Sequence, residues 1–344
     1  MTKKNQFIEI LRFIFCLIIV IHHAGFFSNG ERYLFDKGGL YAVEFFFILT
    51  GALAMKHVLK AAPEKGCMKY SMDYTINKLK RVFPYALIGI FLSYVWFFIQ
   101  APQMWSIKDR IFGRWNIVFE MLFLPMTGIM DVDLNMYLNT PLWYLSVLLI
   151  VLPLIVFWAV KYKDVYTNYV CIIVPFLLYG YMLNKYGSIG NWGVHTGFFY
   201  TGIIRGCADL MLGCLVYVLS QNLSNLKKNL KLLLTIIEII CYGFSIYTFN
   251  TNVDGYSYMA AVIFMAAGMC ISLSESSYTA CIKGGFFSHL GALSLPMYCL
   301  HWPIYRFLTY FNPYMELYTA VMIEIAVCIL LSEISMLVVK KKTR

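Results

Sequence analysis

Apolar positions along this chain neither alternate with polar ones nor recur in short amphipathic blocks. They come in runs of about 20 residues, the length that carries an α-helix across hydrocarbon. Such runs lie near 7–27, 39–59, 82–101, 141–160, 168–185, 197–220, 230–249, 256–273, 290–311 and 315–339. The pattern predicts an all-α, polytopic membrane protein with about ten spans. A membrane β-barrel would show short alternating segments instead. No internal repeat and no low-complexity linker interrupts the chain, so residues 1–344 read as one transmembrane domain.

One apolar stretch does not fit a simple span. Residues 111–130, IFGRWNIVFEMLFLPMTGIM, contain Arg114, Glu120 and Pro125. An eleventh span there would place the following basic loops on the wrong side. The stretch is therefore expected as an interfacial or re-entrant helix within an outer loop, 101–140.

Composition agrees with the pattern. Of 344 residues, 60% are hydrophobic, 17% aromatic and only 13% charged. A soluble domain is about 25% charged. A water-soluble enzyme, a disordered chain and a secreted disulfide scaffold are thereby excluded. The net charge of +10 would point to nucleic acid on a soluble protein. Here it follows the loops: Lys56, Lys60, Lys78, Lys80, Arg81, Lys161, Lys163, Lys283 and Lys340 gather on the side of the termini. Arg32, Lys37, Lys108 and Lys185 fall opposite. This asymmetry predicts both termini in the cytoplasm, a plasma or inner membrane location, and no nucleic-acid partner. The ten Cys form no CxxC pair, and Cys16, Cys171, Cys214 and Cys328 sit inside apolar runs. They read as small core residues, and no metal site is expected. The first run carries Arg12, His22 and His23 without a clear small-residue cleavage site, and reads as a retained span rather than a leader.

A charge at mid-membrane costs about 2.5–3.5 kcal/mol, so each one needs a partner or a task. Arg12 and His23 are 11 residues apart in the first run. That is about 1100° of helix, about 20° beyond three turns, so the two share a face about 16 Å apart along the axis. Glu9, three residues before Arg12, could instead neutralise it. Glu44 falls in a Phe-rich run opened by Gly38 and Gly39, with no helical partner, and reads as a protonated or cross-paired acid. Arg205 and Asp209 are spaced to pair with each other. Lys78, Lys80 and Arg81 crowd the entrance of the third run, as a topogenic signal or as a polyanion site. His301 and Arg306 lie in the outer half of the ninth, where Pro296 and Pro303 predict a bend.

These residues carry a pattern that resembles the membrane-bound acyltransferase 3 family. It includes an Arg and a His separated by ten residues in the first span, matched by Arg12 and His23. A Gly-Gly, acidic, Phe-Phe, hydroxyl-Gly segment follows, matched by Gly38, Gly39, Glu44, Phe46, Phe47, Thr50 and Gly51. Next come a basic cluster before Pro84 and Tyr85, a Leu-Trp-x-Leu-Ser segment at Leu142 to Ser146, and Arg205, Gly206 and Gly213. The last piece is Gly291, Ser294, Tyr298, His301, Trp302 and Pro303. Glu44 stands where Asp is common and Thr50 where Ser is common. Leu148 replaces a Glu found in the branch that carries a fused esterase-like domain, so the likeness is to the single-domain branch.

The resemblance implies transfer of an acetyl or other short acyl group from cytosolic acyl-CoA to a hydroxyl of a cell-surface or lipid-linked carbohydrate. Arg12, Lys78, Lys80 and Arg81 are then expected to hold the donor's phosphates, with His23 as general base. Glu44 is expected to orient His23, and His301 or Arg205 to stabilise the oxyanion. Arg205, Trp143 and Trp302 are expected on the substrate side. The outer segment with Trp105, Trp115, Asp131 and Asp133 is expected to touch sugar. Direct transfer is the simpler course, and an acyl-His intermediate stays open. A transporter or flippase of glycan or lipid precursors is the competing class, since intramembrane charges and bent helices occur there too. A non-catalytic assembly scaffold is a third, and it leaves the paired motifs unexplained.

Overall fold

The computed structural model describes residues 5–61, 66–101, 106–108, 117–129, 137–224 and 230–342. Trp105, Trp115, Asp131 and Asp133 lie outside the described residues. The apolar runs become long helices: α1 Gln6–His22, α2 Ala42–Lys60, α3 Cys67–Gln100, α4 Trp143–Lys161, α5 Cys171–Tyr186, α6 Gly202–Leu223, α7 Lys231–Phe249, α8 Gly255–Ser274, α9 Gly285–Phe311 and α10 Leu317–Lys342. Among the described residues, nine helices are long and apolar enough to cross a membrane, and no strand forms beyond one isolated His195–Tyr200 bridge. The protein is an all-α polytopic membrane protein. The remaining long helix, α9, has 27 residues. His289, Ser294, His301 and Arg306 dilute its hydropathy.

Caps define the starts. Asn5 accepts from the amides of Phe7 and Ile8 at the head of α1, and Glu316 accepts from Tyr318 and Thr319 at the head of α10. Several boundaries differ from expectation, among them the starts of α3 and α6. α3 begins at Cys67, about four turns before the apolar run at 82. Its 34 residues span about 50 Å, well beyond the hydrocarbon thickness. Lys78, Lys80 and Arg81 therefore ride on a rigid helical extension rather than in a loop. α6 starts at Gly202, because 195–200 fold back on themselves first.

Hydrogen bonds knit the two ends of the bundle. At the end that bears the termini, Asn5 donates to the Ser272 carbonyl, Ser276 to that of Leu223, and Lys163 to that of Leu59. At the opposite end, Tyr33 donates to His22, Arg32 to Asn250, and Tyr258 to Thr251. The Tyr33 phenol lies in a loop, and burial pushes it up to about 12, so it stays a donor through neutral pH.

Helices α1, α2, α4, α3 and α9 close a ring, each touching the next. Outside the ring, α6 packs on α2 so closely that a Cβ on Gly51 would overlap the Leu210 carbonyl, and one on Gly213 that of Ile48. Two backbones in van der Waals contact are the usual basis of helix association in lipid. The segment 117–129 supplies a short helix, Ile117–Met121, and a 3-10 turn, Pro125–Thr127. It is pinned when Ser146 of α4 accepts from the Met126 amide.

Candidate functional site

α1 and α9 meet along a polar seam. Glu9 lies against Gly291, Cys16 donates to the Ser294 carbonyl at 3.2 Å, and the His23 ring stands 4.9 Å from the His301 ring. The seam is packed between these contacts: Phe15 and Cys16 are wholly buried and Ile19 nearly so. Arg12 of α1, Lys78 of α3 and Tyr144 of α4 are all half-buried, and the Arg12 charge is felt by each of the other two. Tyr144 bonds Thr50 and the Phe46 carbonyl of α2, and its ring meets Tyr298 of α9 at 5.9 Å.

The two imidazoles are held alike. His23 Nδ1 lies 2.8 Å from the Ile19 carbonyl, and His301 Nδ1 lies 2.8 Å from the Tyr298 carbonyl. A carbonyl oxygen only accepts, so each Nδ1 carries the hydrogen. Each neutral ring then presents Nε2 as a lone pair. His301 Nε2 is buried without a hydrogen-bond partner among the described residues. His22 turns away and bonds the Phe35 carbonyl at 3.0 Å. The backbone of each residue's own helix therefore sets the tautomer, not a carboxylate.

Glu44 is engaged elsewhere, which corrects its expected contact with His23. Both of its oxygens bond Arg205, at 2.9 and 2.6 Å, and both residues are buried. Arg205 also donates to the carbonyls of Gly190 and Leu40, at 2.6 and 2.8 Å. Its guanidinium lies over the rings of Trp143 and Tyr41. The expected Arg205–Asp209 pair does not form either: Asp209 accepts from Tyr179 at 2.5 Å. Arg205 is thus a cross-linker of α2, α6 and the 186–191 turn, with its donors committed to protein acceptors rather than to an oxyanion.

At the other end of α1, Arg12 and Glu9 form the ion pair that their spacing allowed, at 3.0 Å. Arg12 keeps 25% of its side chain exposed. Lys78 feels both Arg12 and Arg81, and has no carboxylate partner among the described residues. A half-buried ammonium with two cationic neighbours favours an anion. Lys80 is exposed and lies about 200° around α3 from Lys78, so it does not join them.

The aromatic residues separate. Trp143 stacks on Trp192 at 5.5 Å, where the two line a cavity of about 10 Å³ with Glu120, Tyr137 and Asn139. That is room for one water, not for a sugar. Trp302 stands perpendicular to His23 at 5.4 Å, with its Nε1–H buried and without an acceptor among the described residues. Above it, the outer loop is tied down. Glu120 accepts from the amides of Leu138 and Asn139, Asn139 donates to the Cys299 carbonyl at 3.0 Å, and Tyr298 donates to Pro141. Pro303, which lacks an amide hydrogen, leaves that Cys299 carbonyl open inside the helix. An open carbonyl next to a motif histidine was the sequence signal for a loop donor, and Asn139 fills it.

No curated protein and no solved structure matches the chain. His23, against His301 of α9, and Arg12, near Lys78 of α3, lie toward opposite ends of α1 inside a polytopic bundle. Residues 5–337 match the family described as Acyltransferase domain, acyltransferase 3, and the chain belongs to that family of membrane acyltransferases.

Proposed function

We propose that this protein moves an acetyl or similarly short acyl group from cytosolic acyl-CoA to a hydroxyl of a cell-surface or lipid-linked carbohydrate, in the plasma or inner membrane. The observation that carries this reading is the His23 imidazole. Its Nδ1–H is spent on Ile19, so Nε2 is the basic atom, at the far end of α1 from an anion-seeking group of Arg12, Lys78 and Arg81.

The residues fit a donor that carries phosphates at one end and a thioester at the other. Lys78 and Arg81 would take the phosphates as fixed cations, with Arg12 partly offset by Glu9. Because the α1–α9 seam is packed at Cys16, the acyl arm would run on the ring side, past Tyr144 and Tyr298. Nε2 of His23 would take the proton of the acceptor hydroxyl as its oxygen attacks the thioester carbonyl. The C–S bond then breaks, and the proton passes to the departing thiolate. Trp302 Nε1–H is the nearby buried donor suited to the developing oxyanion, whereas neutral His301 offers a lone pair there. Glu44 and Arg205 would brace the outer wall of the site.

The test uses membranes from cells that express the protein, supplied with acetyl-labelled acetyl-CoA. Label should appear in envelope carbohydrate with the native chain. With His23→Ala it should be lost, at equal amounts of membrane-inserted protein. Full transfer by that variant would remove His23 as the base. Movement of glycan precursor across the membrane without label transfer would replace the reading with transport.

A further inference from the structure

Arg306 has no task in the account above, yet its half-buried guanidinium is packed among aromatic rings close to His23. Its guanidinium carbon lies 5.0 Å from the Phe26 ring, 5.0 Å from the Trp96 ring and 4.9 Å from the Trp302 ring. These rings come from three parts of the chain: the turn after α1, the outer half of α3, and α9 itself. Phe26 and Trp302 also touch each other at 5.6 Å. Trp302 in turn stands against His23. The chain of contacts therefore runs from Arg306 through Trp302 to the proposed base.

We propose that Arg306 is a positioning residue for acyl transfer: its guanidinium, packed against Phe26 and Trp96 as well, holds the Trp302 indole in place against His23. This rests on the acyltransferase reading given above. A guanidinium is flat and stacks on aromatic faces, which fixes a ring more firmly than a flexible ammonium does. The cation also draws electron density from the indole it faces, which makes the N–H a stronger donor. The clamp works through Trp302, whose N–H is otherwise unpaired among the described residues. Arg306 itself need not touch either substrate.

The inference is read from the labelled acetyl-CoA assay with native membranes, at equal inserted protein. Arg306→Met keeps the length of the stem and loses the planar cation. It should lower the transfer rate at saturating acetyl-CoA tenfold or more, while the half-saturating acetyl-CoA concentration stays within about twofold. Arg306→Lys should recover part of the loss. Trp302→Phe should show a comparable loss, and Arg306→Met combined with Trp302→Phe should be no slower than Trp302→Phe alone. A purely structural role predicts multiplying losses in the double variant, and that result overturns the proposal, as does a native rate for Arg306→Met. If Arg306→Met does not insert, the same cycle with Arg306→Lys decides in the same way. Loss of transfer in His23→Ala with a native rate in Arg306→Met sinks the clamp alone, whereas transfer by His23→Ala sinks the reading beneath it.

Discussion

The Arg205–Glu44 pair sits in a setting where charge is expensive, and it survives because every strong donor of the guanidinium finds an acceptor. Removing one member leaves the other charged and buried. Glu44→Ala should destabilise the protein by about 3–5 kcal/mol, seen as a drop in its melting temperature in detergent. Replacing both, as in Glu44→Leu with Arg205→Met, should cost less than Glu44→Ala alone, because no orphan charge remains. If Glu44 instead acted on His23, Glu44→Gln would lose transfer at unchanged stability. The imidazoles are treated differently by the fold. Each is oriented by a backbone carbonyl of its own helix, so no second side chain is needed to choose the tautomer.

At the scale of elements, Pro303 ties α9 to the outer loop. The helix stays continuous through Pro296 and Pro303, and the carbonyl released by Pro303 becomes the landing point of the outer loop. Asn139→Ala should cost about 1–3 kcal/mol by leaving that buried carbonyl unpaired. Asn139→Asp should cost more, because it sets an anionic oxygen against the carbonyl. In a Pro303→Ala background the restored amide competes for the same acceptor, so Asn139→Ala should then cost less. Thermal unfolding of the four proteins measures the cycle. The α2–α6 crossing obeys a simpler rule. Gly51→Val should prevent close packing and lower the yield of folded protein, because the overlapping partner is a backbone carbonyl and cannot turn aside.

At the scale of the molecule, α1 carries a cation toward one end and an imidazole at the other, and the long α3 brings Lys78 close to Arg12. Lys78→Ala with Arg81→Ala should raise the half-saturating acetyl-CoA concentration by about ten- to a hundredfold, the range of one charge-assisted hydrogen bond. Lys80→Ala should leave it nearly unchanged, since Lys80 points to another side of α3. A donor without phosphates, such as acetyl-pantetheine, should be indifferent to all three changes. Saturation curves with the two donors check this.

The residue pattern by itself determined that the chain crosses a membrane as a helical bundle, because hydrocarbon forces apolar runs of fixed length and internally bonded backbone. It also determined that Arg12 and His23 share a helix face, since helical pitch is local geometry. The match of Glu9 with Arg12 was legible for the same reason. The extent of α3 was not, because its first four turns precede the apolar run and, with Ser71, Asp73, Thr75 and Asn77, carry no strong helix-forming signal of their own. Partners across helices were decided only by the tertiary structure: Glu44 with Arg205, Asp209 with Tyr179, His23 with His301, and Arg306 with its rings. Such contacts depend on how each helix is rotated and raised against its neighbours, and close packing of the whole bundle, not any one segment, sets those two quantities.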